Sequence, residues 1–220
     1  MGSLFNMDNK FFQAMSQLVD TFFLSMLWML FCIPVFTIGA STTALHYTVH
    51  KVLRGHRGYL WQSFWGAFKS NFGQATKMWL IQLALLVLMF ADQRVTKNLL
   101  MNRSAYGVMY YFFLIVMLMI LVWVVYCCAY TARFELGMKQ TMKNAALIAI
   151  AHLPWSGLIL LLLLVSAALI TFLSPMFIAI LPAGVGYIYD LILERIFRKY
   201  MTEEDLKREE ALEMEDRKFD

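Results

Sequence analysis

The chain has 220 residues, of which 60% are hydrophobic and 15% are charged, and its mean hydropathy is +0.61. These values lie outside the range of soluble globular domains and predict a polytopic membrane protein. The formal net charge of +4 is small, so nucleic acid is not the partner that the composition indicates. Cys32, Cys127 and Cys128 fall inside apolar runs without zinc-like spacing, and we expect them to be packing residues.

The N-terminal part predicts a short interfacial helix followed by the first membrane span. Between residues 9 and 20 the apolar side chains recur every three or four residues, which is the spacing of one helix face. The span itself is predicted at about residues 18–40. Pro34 should kink its far end, because the proline ring removes one backbone donor.

A connector rich in basic residues follows, from residue 33 to residue 79. It contains no acidic residue, and its basic residues are Lys51, Arg54, Arg57, Lys69 and Lys77. This composition predicts a connector at the membrane surface that includes an amphipathic helix.

The remaining apolar runs predict four more spans. Two are expected at about residues 75–91 and 106–130. The apolar run of residues 145–193 would be roughly 73 Å long as one helix, more than twice the thickness of the hydrocarbon core. We therefore expect a break near Pro175 and spans at about residues 145–172 and 176–193.

The predicted fold is thus an all-α integral membrane bundle of five transmembrane helices. Residues 1–200 form its single membrane-embedded domain, and residues 201–220 form a charged cytosolic tail. The connector, the segment after the third span and the C-terminal region carry 15 of the 19 basic residues. Because basic loops face the cytosol, we expect the N-terminus outside and the C-terminus inside.

Two segments, one in the connector and one after the third predicted span, resemble one another and are the candidate docking or lipid-surface elements. Residues 63–75 align with residues 133–145 at an offset of 70, which suggests an internal repeat. Both segments are predicted to be amphipathic helices on the cytosolic side. The candidate surface residues are Trp61, Phe64, Trp65, Phe68, Lys69, Phe134, Met138 and Lys139.

Three polar side chains within the apolar runs are candidates for intramembrane function. They are His152, Asp190 and Gln82. Each also has a structural interpretation: Asp190, for example, could pair with Arg195 or with a basic residue of the loops.

No chemical site is indicated by the remaining motifs. His46 and His50 share a helix face, but no carboxylate or cysteine nearby completes a metal site, so ordinary surface histidines are expected. No hydrolase, metalloprotease or nucleotide-binding signature occurs, and we expect neither an enzyme nor a cofactor.

Three motifs together resemble the YesL family of small bacterial membrane proteins, which is grouped as a domain of unknown function. They are IPVFTIGASTTAL (33–45), GYLWQSFWGAFKSNFGQA (58–75) and RFELGMKQTMKNAALIAIAHLP (133–154). The resemblance covers residues 1–200. It implies a location in the bacterial plasma membrane and a role in carbohydrate uptake.

The leading hypothesis is an auxiliary subunit or regulator of a carbohydrate ABC importer, with permease subunits and the lipid bilayer as partners. One alternative is an independent small transporter, with His152, Gln82 and Asp190 lining its path. A second alternative is a structural or sensing membrane protein. Assembly into a homo-oligomer is left open.

The predicted orientation can be tested by labelling single cysteines. Cysteines introduced at Arg57 or Lys139 should react with a membrane-impermeant reagent only after the cytosolic side is exposed. A cysteine at Arg103 is the control, because it should react in intact cells. Labelling of Arg57 or Lys139 positions from outside intact cells would contradict the orientation.

Overall fold

The computed structural model describes residues 10–55, 57–101, 105–173, 179–201 and 214, and this part of the chain contains helices and no strand. Between residues 10 and 197 the structure describes seven α-helices, namely α1 (Lys10–Cys32), α2 (Ile38–Thr48), α3 (Leu60–Met101), α4 (Met109–Arg133), α5 (Met138–Ala151), α6 (Leu153–Ala168) and α7 (Leu181–Phe197). Short 3₁₀ turns occupy Val35–Thr37 and Ala105–Val108, and π-helical turns at Val49–Arg54 and Leu169–Leu173 extend α2 and α6. The all-α prediction is confirmed for the described residues.

Among the described residues, four helices are long and apolar enough to cross a membrane, which indicates a membrane protein. The candidate spans are Met15–Cys32, Leu60–Asn98, Met109–Arg133 and Leu153–Phe172. Helix α7, at 17 residues, is not among them. The predicted break at Pro175, the start of the predicted fifth span and nearly all of the tail lie outside the described residues. The count of five spans and the orientation stay predictions.

The chain reverses at Pro34, so the predicted first span is too long. Helix α1 ends at Cys32, and α2 runs back alongside it. The Trp28 indole donates a hydrogen bond to the Thr42 hydroxyl at 3.2 Å, and the Ser41 hydroxyl donates to the Trp28 carbonyl at 3.1 Å. Proline cannot donate to the helix ladder, and here its position ends the helix instead of kinking it.

Helix α2 is buried, which corrects the prediction that this part of the connector lies at the membrane surface. Ala40, Ser41, Thr43, Ala44 and Thr48 have no exposed surface. Such small residues let neighbouring helix backbones approach closely, as in membrane helix packing. The hydroxyls of Thr43 and Thr48 donate to carbonyls of their own helix, so their burial leaves no hydroxyl without a partner.

Helix α3 is continuous for 42 residues, about 63 Å at 1.5 Å per residue. The predicted amphipathic surface helix and the predicted span at residues 75–91 are therefore parts of one helix. The two segments of the predicted repeat have different secondary structures. Residues 63–75 lie inside α3, whereas residues 133–145 include the end of α4, an extended segment and the start of α5.

The predicted fourth span is interrupted at His152. Helix α5 ends at Ala151 and α6 begins at Leu153, with His152 in a non-helical conformation between them (φ −117°, ψ 48°). Pro154 has no backbone N–H and disfavours helical geometry in the residues before it. The proline therefore starts α6 and separates it from α5, and the candidate span shortens to Leu153–Phe172.

Two apolar cores hold the helices together. One lies among α1, α2 and the first half of α3, where the Phe31 ring packs between Phe64 and Phe68 at centroid distances of 5.5 and 4.9 Å. The other lies among α4, α5, α6 and α7 around Tyr126 and Ile159. Helix α7 joins both, because its Ala183 packs into the first core.

Substitution of Gly39 should separate α2 from α3. A Cβ atom at Gly39 would lie 2.5 Å from Trp79 Cβ and 2.8 Å from the Ala75 carbonyl oxygen. We expect Gly39→Ala to lower the free energy of unfolding by about 1–3 kcal/mol, the cost of overpacking. Thermal unfolding in detergent measures the change.

The matched control is Gly66→Ala in α3, where a Cβ atom meets nothing within 4 Å. Alanine is the better helix former, so this variant should be more stable by about 0.5–1 kcal/mol. Equal stability of the two variants would contradict close packing of α2 on α3.

Candidate functional site

A cluster of ionisable side chains lies where the π-helical end of α2 meets α4 and α7. We call it the charge cluster; its members are His50, Arg54, Arg133, Asp190 and Glu194. Both carboxylates are buried, with relative exposures of 7% for Asp190 and 6% for Glu194. Buried carboxylates require partners, and the basic members of the cluster supply them.

Asp190 connects α7 to α2. Its Oδ2 atom accepts hydrogen bonds from Arg54 Nη1 at 2.5 Å and from His50 Nδ1 at 3.1 Å. The other ring nitrogen of His50, Nε2, accepts from Arg133 Nη1. His50 therefore contacts Asp190 on α7 through one ring nitrogen and Arg133 on α4 through the other.

Glu194 connects α7 to α4. Its Oε2 atom accepts from Arg133 Nη2 at 2.8 Å, and its Oε1 atom accepts from Arg198 Nε at 2.9 Å. Arg133 therefore bridges His50 and Glu194 with its two terminal nitrogens. The fork of a guanidinium group suits such a bridge, because its donors point to two acceptors at once.

Local helix geometry places these side chains. Asp190 and Glu194 are four residues apart on α7 and therefore share one face. His50 and Arg54 lie in the π-helical turn Val49–Arg54, whose wider winding sets both beside that face. Arg133 is the last residue of α4, where its long side chain can reach beyond the helix end.

The cluster also contains the donor types of a metal site, but its arginines compete with a cation. The ligand atoms of His50, Asp190 and Glu194 lie within 4.8 Å of one another. Arg54 and Arg133 already donate to the same carboxylates. A bound cation would meet two guanidinium groups at close range, so the residues present fit an ion-pair network better than a metal centre.

The structure corrects the prediction for the two connector histidines. His46 and His50 were expected at the surface, yet His46 is only 4% exposed and His50 belongs to the charge cluster. The carboxylates beside His50 lie 140 and 144 positions away in sequence, so local spacing could not identify them. For Asp190, a basic residue of the connector, Arg54, is the partner, whereas Arg195 is exposed.

The three predicted intramembrane polar residues have separate environments. His152 lies at the junction of α5 and α6, where its Nδ1 is 3.3 Å from the Ile148 carbonyl oxygen and its ring contacts Tyr200 edge-on. Gln82 is buried in α3. Asp190 belongs to the charge cluster. These positions do not form a shared polar path.

The predicted surface residues of α3 divide between two faces of the helix. Trp61 is 48% exposed, and its ring stacks on Trp65 at a centroid distance of 6.0 Å. Lys69 Nζ lies 5.0 Å from the Trp65 ring centroid, a cation–π geometry. We call Trp61, Trp65 and Lys69 the aromatic–basic row. Phe64 and Phe68 face the opposite way and are buried in the first core.

The second predicted surface segment is only partly exposed. Phe134 stacks on Tyr130 at 4.4 Å and packs against the second core, and Met138 is half-buried. Lys139 is exposed. The side-chain amide of Gln74 on α3 donates to the Leu136 carbonyl at 2.8 Å, so the two predicted surface segments are in contact.

Comparison with known proteins gives one match. Residues 21–93 match the model of a family described as "Protein of unknown function, DUF624". The match covers about a third of the chain, from α1 through most of α3, and includes His50 and Arg54. It supports a relationship to a family of uncharacterised proteins. No curated protein and no solved structure matches the chain.

Removal of one carboxylate should destabilise the charge cluster. Asp190→Asn leaves the positive charge of Arg54 without its anionic partner. Breaking a buried pair in this way typically costs about 3–5 kcal/mol, and we expect the lower end because Arg54 is partly exposed. Unfolding of the purified protein in detergent measures the loss.

A double-variant cycle tests whether the pair itself is responsible. Arg54→Gln combined with Asp190→Asn should cost less than the sum of the single changes, with a coupling of about 0.5–3 kcal/mol. Arg195→Gln, an exposed position on α7, is the control and should change stability by less than about 0.5 kcal/mol. Additive single effects would contradict direct pairing.

Proposed function

We propose that this protein is a non-catalytic auxiliary subunit or regulator of a carbohydrate ABC importer in the bacterial plasma membrane. The observation that supports a docking role is the aromatic–basic row, which presents stacked indoles and a lysine on the outward face of α3. Tryptophan side chains at an exposed position are characteristic of interaction surfaces. The carbohydrate context comes from the resemblance to the YesL family.

The length of α3 supports a location for the row outside the hydrocarbon core. A helix of about 63 Å is twice the core thickness of about 30 Å, so roughly half of α3 extends beyond it. The first half contains Lys69, Asn71, Gln74 and Lys77, whereas residues 78–91 are almost entirely apolar. The first half is therefore the better candidate for the projecting part, on the cytosolic side in the proposed five-span orientation.

The charge cluster supports a structural role better than a catalytic one. Both carboxylates and both nitrogens of His50 take part in hydrogen bonds with other members of the cluster. Groups that are engaged in ion pairs and hydrogen bonds must exchange these partners before they can act on a substrate. The cluster instead holds α7 against α2 and α4.

An independent transporter is less well supported. That alternative requires His152, Gln82 and Asp190 to line one path, and they have separate environments. The docking proposal needs only the exposed row and a partner that covers it.

Capture of the full-length chain tests the proposal. After extraction in mild detergent, the tagged protein should retain permease subunits of a carbohydrate importer. Trp61→Ala combined with Trp65→Ala should reduce the captured permease at least tenfold, because central tryptophans supply much of the binding energy at interfaces. Quantitative mass spectrometry measures the ratio of permease to bait.

Trp155→Ala is the matched control, since Trp155 is an exposed tryptophan on α6. It should leave permease capture unchanged. A wild-type chain that purifies alone would overturn the proposal. Equal capture by wild type and the double variant would exclude the row as the docking surface and assign it to the lipid interface.

A further inference from the structure

A cavity of about 280 Å³ lies among α1, α2, α4, α6 and α7. Trp28, His46, Val125, Leu163 and Tyr189 contribute to its wall, one from each helix. It is distinct from the charge cluster, none of whose members line it, and from the aromatic–basic row. An engineered cavity of about 150 Å³ holds benzene, so a molecule of one or two rings fits this volume.

One polar group on the wall has no partner among the described residues. His46 is only 4% exposed, and its Nδ1 atom is buried and makes no hydrogen bond with the described residues. Most buried polar atoms are paired, so each exception requires an explanation. The Tyr189 ring stacks near the imidazole at a centroid distance of 6.4 Å, which fixes the ring beside the cavity.

Other polar side chains of the wall make hydrogen bonds. The Trp28 indole donates to Thr42, the Ser166 hydroxyl donates to a carbonyl of α6, and the Tyr189 hydroxyl donates to another carbonyl of α6. Among the described residues of the wall, His46 Nδ1 is the buried side-chain polar atom that makes no hydrogen bond at all. The rest of the wall is mainly apolar.

We propose that this cavity binds a small, uncharged, predominantly apolar molecule whose single hydroxyl group pairs with His46. An apolar wall excludes a charged ligand, because nothing on it compensates the lost hydration. Burial lowers the pKa of His46 to about 4, so the imidazole is neutral at physiological pH. A hydroxyl group both donates and accepts, and therefore fits either neutral tautomer.

The protein in phosphatidylcholine nanodiscs provides the test, with 2-naphthol as the probe and naphthalene as its analogue without a hydroxyl. Equilibrium dialysis against empty nanodiscs corrects for partition into lipid. We expect saturable binding of 2-naphthol and at least tenfold weaker binding of naphthalene. Binding equal to that of empty nanodiscs would overturn the proposal.

Two substitutions at His46 distinguish the effect of losing its hydrogen bond from the effect of changing its side-chain volume. His46→Leu should weaken 2-naphthol binding at least tenfold and remove its advantage over naphthalene, whereas His46→Gln keeps a hydrogen-bonding group and should keep the advantage. His152→Leu is the control, since His152 lies outside the cavity wall, and should bind as wild type. Unchanged binding by His46→Leu would overturn the role of His46.

A cavity-filling variant keeps the proposal falsifiable if the His46 variants fail to fold. Leu163 is only half-buried on α6, and Leu163→Phe should occupy the cavity and abolish binding of both probes. Full binding by this variant would exclude the cavity as the site. Competition by glucose would contradict the apolar ligand class and indicate a sugar site instead.

Discussion

The pairing of Arg54 with Asp190 joins residues that are 136 positions apart and determines how α7 sits on the rest of the bundle. Burying two carboxylates in a membrane protein is costly unless each finds a basic partner with suitable geometry. Arg133 supplies the second link by bridging His50 and Glu194. The register between α2, α4 and α7 is thereby fixed, because a shift of one residue along α7 would turn both carboxylates away from their partners.

The cluster can form only because α2 lies inside the bundle. Small side chains on α2 let α3 approach until the Cβ of Trp79 is next to Gly39. The hydroxyls of Thr43 and Thr48 bond to carbonyls of α2 itself, which lowers the free-energy cost of burying them. The chain reversal at Pro34 brings α2 alongside α1. Because α2 packs closely inside the bundle, His50 and Arg54 at its π-helical end lie within contact distance of α7.

Composition and periodicity predicted the membrane class and the helical fold, but not the path of the connector. Residues 33–57 are less apolar than a typical span, so their basic residues indicated a surface location. The burial of α2 depends on contacts with α3, α4 and α7, which local sequence patterns do not record. The same limit applies to His50, whose acidic neighbours are remote in sequence. The break at His152 was foreseeable from Pro154. The continuity of α3 was not, because the change from a basic, aromatic segment to an apolar run predicted a surface helix and a separate span.

The cavity and the charge cluster share two helices at adjacent positions. His46 and His50 are one turn apart on α2, and Tyr189 directly precedes Asp190 on α7. A molecule seated against His46 and Tyr189 therefore contacts the same pair of helices that the Arg54–Asp190 ion pair holds together. A ligand shifts a protein between two conformations only through contacts that differ between those conformations. A molecule in the cavity would therefore act on the bundle through its contacts with α2 and α7.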